Sequence, residues 1–400
     1  MEMKLVANAP EKPRVLIAGV DTLILNGKQT NSDDTPRAEQ TIPKQIKELL
    51  EDWQEIAQSN NAPCLTSWEH EGLRLQMWPK GADGWKWLLK NGLIDLMMGA
   101  QLNKHSLVRV RFSSEYLWRC GVHAAVKNTH TFLTHLFDEV LFLQPGEIHL
   151  CADVVGLTIP NDYQRVFVSR AKVQRPISES YLDRPIYRHN KLETLQFSGH
   201  ASPMSATIYN KPKEIQVKSP QKIWLYDLWK PKGWKEGQPV WRVECRAKRK
   251  CLGEMDIEEI YDALQKIPAL WAYCVGHVGK LDGWLRMVTP NEHDSNRWRW
   301  VTSDAWQVVQ QAFATGWDGY DDMSDVQRER KRTINLEQAE AAIAGYTATY
   351  AAWLKDEVRP DDDVSVVFKR LYDQITDRWN RNGTDFHYLR RRKQFDYHIS

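Results

Sequence analysis

Residues 206–215 read ATIYNKPKEI, and in them Tyr209 is followed by Lys211, Lys213 and Glu214. A phenol has a pKa near about 10, so it attacks a phosphorus or carbon centre only with help. Flanking lysines favour the phenolate, and a divalent cation can polarise the phosphate under attack. In a strand alternate side chains share a face, which puts Tyr209 and Lys211 on one side, and Pro212 then ends the ladder. Two readings stand side by side: a packed tyrosine whose hydroxyl is hydrogen-bonded, or a nucleophile facing a phosphate.

Further chemistry is available in two other segments. In HLCADVVG, His149 and Asp153 are four residues apart and share a strand face. In VWRVECRAKRK, Glu244 lies between Arg242 and Arg246 on one face of an otherwise apolar strand start. A buried carboxylate needs a partner, and either a divalent metal or an Arg–Glu ion pair supplies one. A histidine in such a strand is more often a satisfied core residue than a ligand, and His149 is read so first. Basic residues cluster at Lys211–Lys222, Arg246–Lys250, Arg328–Arg332 and Arg390–Lys393. Such runs are usually solvated faces, but two of these adjoin Tyr209 and Glu244, which favours phosphate contacts. There is no GxGxxG and no P-loop, so neither dinucleotide nor ATP binding is indicated.

Patterning also gives the elements that must position these groups. Strands are expected at 14–28, 106–119, 147–159, in ETLQFSG and SATIYNK, and at 240–250. Two more are expected between 73 and 99 around a Pro-Lys-Gly-Ala-Asp-Gly turn, the second half reading alternatively as a helix. Apolar residues at helical spacing predict helices at 43–58 and 128–140, the latter capped by Asn128 or Thr129, and again after Glu254. Residues 171–192 read as a long polar loop, and the chain is helical from about 303. The fold class is therefore α+β, an antiparallel-sheet domain with a helical C-terminal region. Three parts are expected: a strand and loop at 1–45, the chemical domain at 46–300, and helices at 301–400.

The 400 residues carry a net charge of +2 and are 42% hydrophobic, which suits a globular protein rather than a disordered one. Any basic surface must be local. The 18 tryptophans suit cores first and base stacking second. Six cysteines form no CxxC pair and read as reduced thiols. With no signal-like start and no long apolar run, a cytoplasmic protein without a membrane span is expected.

SATIYNKPKE followed some thirty residues later by VWRVECRAKR resembles the paired motifs of the Rep_trans family, rolling-circle replication initiators of plasmids and related relaxases. VRVRFSSEYL (108–117) and EIHLCADV (147–154) resemble two upstream family strands in the same order, so the likeness spans about 106–265. The resemblance implies a DNA nickase. Tyr209 would become joined to a 5′ phosphate, Lys211 would sit by the scissile phosphate, and the freed 3′-OH would prime synthesis. Asp153 and Glu244 would lie near a divalent metal, Mg²⁺ or Mn²⁺. Contacts to origin duplex and single-stranded DNA would fall to Arg109, Lys213, Lys222, Arg242, Arg246 and Lys248. A homodimer and a helicase partner are implied as well. The sequence departs from the family pattern at His149, where an acid is usual, and at Arg111 and Gln196. His149 could itself be a ligand, favouring Mn²⁺. Those departures also motivate the alternative of a DNA-binding protein that keeps the scaffold without cutting.

Overall fold

The computed structural model describes residues 12–100, 106–160, 162–171, 186–188, 191–199, 201–317, 326, 328, 336–354, 363–382 and 385–397. Two compact units divide the chain, Met1–Arg328 and Glu329–Ser400. The expected boundary near 300 thus falls later, after the helices Asp304–Gln310 and Ala312–Gly316, whose Trp306, Val309, Ala312 and Phe313 belong to the first unit's core.

The first unit has thirteen strands among its described residues. They are β1 (Arg14–Lys28), β2 (Cys64–His70), β3 (Leu73–Met77), β4 (Trp85–Lys90), β5 (Ile94–Ala100), β6 (Val108–Phe112), β7 (Phe142–Val155), β8 (Phe167–Ser169), β9 (Ile186–Arg188), β10 (Lys191–Phe197), β11 (Met204–Asn210), β12 (Val240–Lys248) and β13 (Leu285–Met287). Eleven form one sheet in the order β2-β3-β4-β5-β6-β1-β7-β12-β11-β10-β9, and β8 pairs with β13. The paired neighbours are antiparallel. The α+β expectation holds. β1 is a central strand between β6 and β7, so the N-terminal stretch belongs to the sheet domain rather than standing apart from it.

Local sequence explains much of this. Glu71 and Gly72 join β2 to β3 with φ of 54° and 74°. Positive φ at both central residues is the hairpin turn whose twist matches its strands, and glycine accepts it freely. Beyond β6, the strand expected to run to 119 stops at Phe112, because the Ser113 hydroxyl accepts from the Tyr116 N–H and starts the helix Ser114–Cys120. The next helix, Val122–Phe137, is capped at Gly121, seven residues before Asn128, the nearer of the two expected caps. The loop expected at 171–192 lies largely outside the described residues, and its described end is strand instead, β9 paired with the start of β10.

Strand alternation splits the sheet's chemistry between its faces. Ile148, Leu150, Ala152, Met204, Ala206, Ile208, Val243, Cys245 and Ala247 enter the main core. There they join Ile260, Leu264, Leu270 and Trp271 of the helices Ile260–Gln265 and Ile267–Val275. The intervening residues of β7, β11 and β12 face the other way and carry the polar groups. Part of that second face is closed by the helices Lys211–Val217 and Leu225–Trp229, whose Ile215, Leu225 and Trp229 pack on Leu16, Val155 and Val240.

The second unit contains the helices Leu336–Trp353, Val364–Arg381 and Phe386–Tyr397. The last two enclose a groove of about 570 Å³ lined by Phe368, Tyr372, Ile375, Trp379 and Phe386. Among the described residues no helix is long and apolar enough to cross a membrane.

Candidate active site

Register brings the candidate residues together. β11 lies against β12 with Tyr209 opposite Arg242 and Thr207 opposite Glu244. β12 lies against β7 with Glu244 opposite Cys151, Arg246 opposite His149 and Arg242 opposite Asp153. With a side-chain period of two, these residues occupy one face, and a slip of one position would send them all into the core.

A chain of polar contacts runs across that face. The Tyr209 hydroxyl donates to Glu244 Oε2 at 2.8 Å. Glu244 Oε1 lies 3.0 Å from His149 Nδ1, and His149 Nε2 lies 2.6 Å from Glu147 Oε1. Lys211 Nζ stands 3.5 Å from the Tyr209 oxygen and donates to Glu214 Oε2 at 2.7 Å, while the Ser219 hydroxyl donates to Glu214 Oε1 at 2.6 Å. Lys211 is buried, and Glu147, His149 and Glu244 are each partly so.

The electrostatics decide which form of tyrosine is present. Burial, reinforced by the Glu244 carboxylate, raises the Tyr209 pKa well above its usual value. The flanking lysines therefore do not produce a resting phenolate, contrary to the sequence expectation. Burial lowers Lys211, helped by the neighbouring charges of Arg242 and Lys222. For Glu244 burial acts upward, but the hydrogen bond and charge of His149 win and bring it to about 2. His149 responds in the opposite sense: burial acts downward, and the bonds to Glu147 and Glu244 raise it overall. The resting site is thus a neutral phenol donating to an ionised carboxylate, an arrangement in which the carboxylate can take the proton if the oxygen attacks.

Asp153 does not join this group. It is fully buried, receives two hydrogen bonds from Arg242 (Nε to Oδ1 at 2.6 Å, Nη2 to Oδ2 at 2.8 Å), and accepts from Trp229 Nε1 at 2.9 Å. Its place four residues along β7 separates it from His149 by roughly 13 Å of strand. Asp153 is therefore a partner of Arg242, and the set Asp153, His149 and Glu244 does not assemble as metal ligands. Among the described residues no three His, Cys, Asp or Glu side chains are placed to hold a metal ion.

The second carboxylate on Arg242 is Asp21, which patterning did not reveal. It sits between Val20 and Thr22, where the β1–β7 register shifts. Such a bulge re-aims a side chain, and Asp21 accepts from Arg242 Nη1 at 2.8 Å, the Ser114 hydroxyl at 2.8 Å and Lys222 Nζ at 3.2 Å. Burial would raise its pKa, but the charges of Arg242, Lys222 and Lys211 hold it far below the carboxylate range.

The expected DNA contacts divide accordingly. Arg242 is wholly buried between two carboxylates and is a structural cation, not a surface contact. Lys222 is tied to Asp21 and lies near Lys211 in the same charged group. Arg246 donates to the Ser205 hydroxyl at 3.2 Å and lies 3.7 Å from Glu147. Lys213 and Lys248 are half-buried beside the site. Arg109, on β6, is four strands from Tyr209 in the sheet order and does not join it. In the Arg328–Arg332 cluster, Arg328 is bound to Glu254 at 2.5 Å and residues 329–332 lie outside the described residues. In the other cluster, Arg390 and Arg391 are exposed.

Immediately after the tyrosine the strand gives way to a helix. Asn210 caps it, its side-chain oxygen accepting from the Lys213 N–H at 3.1 Å, and Pro212 occupies the first turn. Lys211 is therefore set by a cap as well as by a strand. Asn210→Ala should cost about 0.5–2 kcal/mol, read as a lower urea midpoint. An unchanged midpoint would show that the cap does not hold Lys211 in place.

No family model matches the chain, and no curated protein does. Among solved structures it is similar to a rolling circle replication initiator protein from Geobacillus stearothermophilus, with 11% sequence identity, a TM-score of 0.38, and coverage of 80% of this chain and 100% of that one.

Proposed function

We propose that the protein is a DNA strand-transferase of the nicking kind, in which Tyr209 takes a phosphate from one strand to begin rolling-circle replication or element transfer. The supporting observation is the Tyr209 hydroxyl held 2.8 Å from an ionised carboxylate and 3.5 Å from a buried lysine. The Tyr-Asn-Lys and Trp-Arg-Val-Glu motifs agree with this reading. As the tyrosine oxygen bonds to phosphorus, its proton passes to Glu244. The P–O3′ bond breaks, and the leaving 3′-oxygen takes a proton from water. One phosphodiester is exchanged for another, so rejoining is the same step reversed. Lys211 offsets charge on the phosphate oxygens. The basic residues near the site, Lys213, Arg246 and Lys248, would track the DNA backbone. The C-terminal helices, with exposed Arg390 and Arg391, would contribute origin recognition, dimerisation or a helicase contact.

The reading is tested by incubating the protein with supercoiled and single-stranded DNA of the parent element, then digesting and mapping the peptides by mass spectrometry. An adduct on the peptide containing Tyr209 is expected. Intact DNA on the element's own origin, with binding retained, would leave a DNA-binding scaffold that does not cut. The capture of Asp153 by Arg242 is the observation that favours that second reading.

A further inference from the structure

The contact chain beside Tyr209 runs through an imidazole set between two carboxylates. We infer that the His149 imidazole occupies the gap between Glu147 and Glu244 in which a divalent cation would otherwise sit, and that it fixes Glu244 for its contact with Tyr209. The inference rests on the Tyr209 reading only for its catalytic consequence.

An ionised carboxylate can only accept hydrogen bonds, whereas an imidazole donates from both nitrogens only when both carry protons. His149 turns Nδ1 to Glu244 at 3.0 Å and Nε2 to Glu147 at 2.6 Å, so each nitrogen faces a carboxylate oxygen. The bridging proton-bearing ring then does what a cation does between two anions. Arg246, 3.7 Å from Glu147, adds a second positive group on the same flank. A metal entering this gap would have to displace a ring proton to gain a nitrogen lone pair and would meet the Arg246 guanidinium nearby. Asp153, the next acid along β7, does not help, because both its oxygens are occupied by Arg242 and Trp229.

The ring also has a positional effect. Glu244 uses Oε1 for His149 and Oε2 for Tyr209. Holding one oxygen on the imidazole leaves the other aimed at the phenol, so His149 is a positioning residue and Glu244 is the group that touches the reacting atom. The chain Glu147–His149–Glu244–Tyr209 spans β7, β12 and β11, so it depends on the sheet register already described.

The test is a titration of the full-length protein with Mn²⁺ alone, read by electron paramagnetic resonance and calorimetry, on the wild type and on His149→Asp. The wild type should show no saturable site at micromolar Mn²⁺. His149→Asp replaces the imidazole by a third carboxylate in the same gap and should gain one saturable site at micromolar Mn²⁺. A wild-type site that weakens in Glu147→Gln would overturn the inference, since the gap would then hold metal with the imidazole present. A His149→Asp protein that keeps its circular dichroism yet gains no site would overturn it too. If that variant does not fold, the wild-type titration decides alone. Because Mn²⁺ binding is read without DNA, failure of the Tyr209 adduct leaves this result standing, and the reverse also holds.

Discussion

Arg242→Met should destabilise the first unit by about 3–5 kcal/mol or more, enough to leave much of the protein unfolded at 37 °C. The cause is not the lost guanidinium contacts themselves. Removing the cation leaves the buried Asp153 carboxylate with the neutral Trp229 indole and Asp21 with Lys222 and Ser114, where the arginine now supplies both with hydrogen bonds of 2.6–2.8 Å. An unpaired buried charge is far costlier than a paired one is beneficial. Arg242→Lys should fall between the two proteins, because an ammonium keeps the charge but cannot donate along both edges of Asp153 and reach Asp21 as well. Urea unfolding of the three proteins checks the order, and a methionine variant as stable as the wild type would refute the clamp.

The same clamp fixes the sign of an acid effect. Asp21 has a folded pKa depressed far below its unfolded value. Its contribution is therefore fully present above the unfolded carboxylate pKa of about 3.9 and is lost as the pH falls toward the folded value. In Arg242→Met the guanidinium is gone while the burial remains, so this acid-side loss should shrink.

The second large effect concerns the phenol and its base. On the proposed chemistry Tyr209→Phe yields no DNA adduct at all, while DNA affinity, which is set mainly by phosphate contacts, stays nearly unchanged. Glu244→Gln keeps the shape and a hydrogen-bond acceptor but cannot take the proton, so strand exchange should slow about 10²–10⁴-fold. The pair separates roles. Loss of adduct in the phenylalanine variant together with slow but measurable exchange in the glutamine variant fits a nucleophile and a base. Equal loss of binding in both would instead mean that the two residues hold the site's shape. Rates of adduct formation under single turnover, beside affinities from a filter or fluorescence assay, distinguish these outcomes.

Periodicity made one face of the site legible in the sequence. The alternation in VWRVECRAKRK placed Glu244, Arg242 and Arg246 on one strand face, and the pairing of β11 with β12 adds Tyr209 to that face. Alternation identifies a face but not its neighbours, so it could not say that Asp153 would meet Arg242 rather than His149. That depends on which residue of β7 lies opposite which residue of β12. Glu214 was visible beside the motif, but its bond to Lys211 required knowing that Asn210 ends the strand and starts a helix. An Asn-x-Pro signal before an acid was available for that step.

Asp21 and Trp229 lay beyond local patterning. Asp21 acquires its direction from a register shift in a strand pairing with residues about 130 positions away, and a bulge leaves no periodic trace in its own sequence. Trp229 reaches Asp153 from 76 residues along the chain. By itself the sequence determined the strand faces, the α+β class and the candidate reactive side chains, because these depend on local propensity, period and residue type. Tertiary structure decided which carboxylate belongs to Arg242, which belongs to His149 and which accepts from the Tyr209 hydroxyl. Those pairings are long-range contacts whose energies arise from burial, and burial exists only once the sheet has closed.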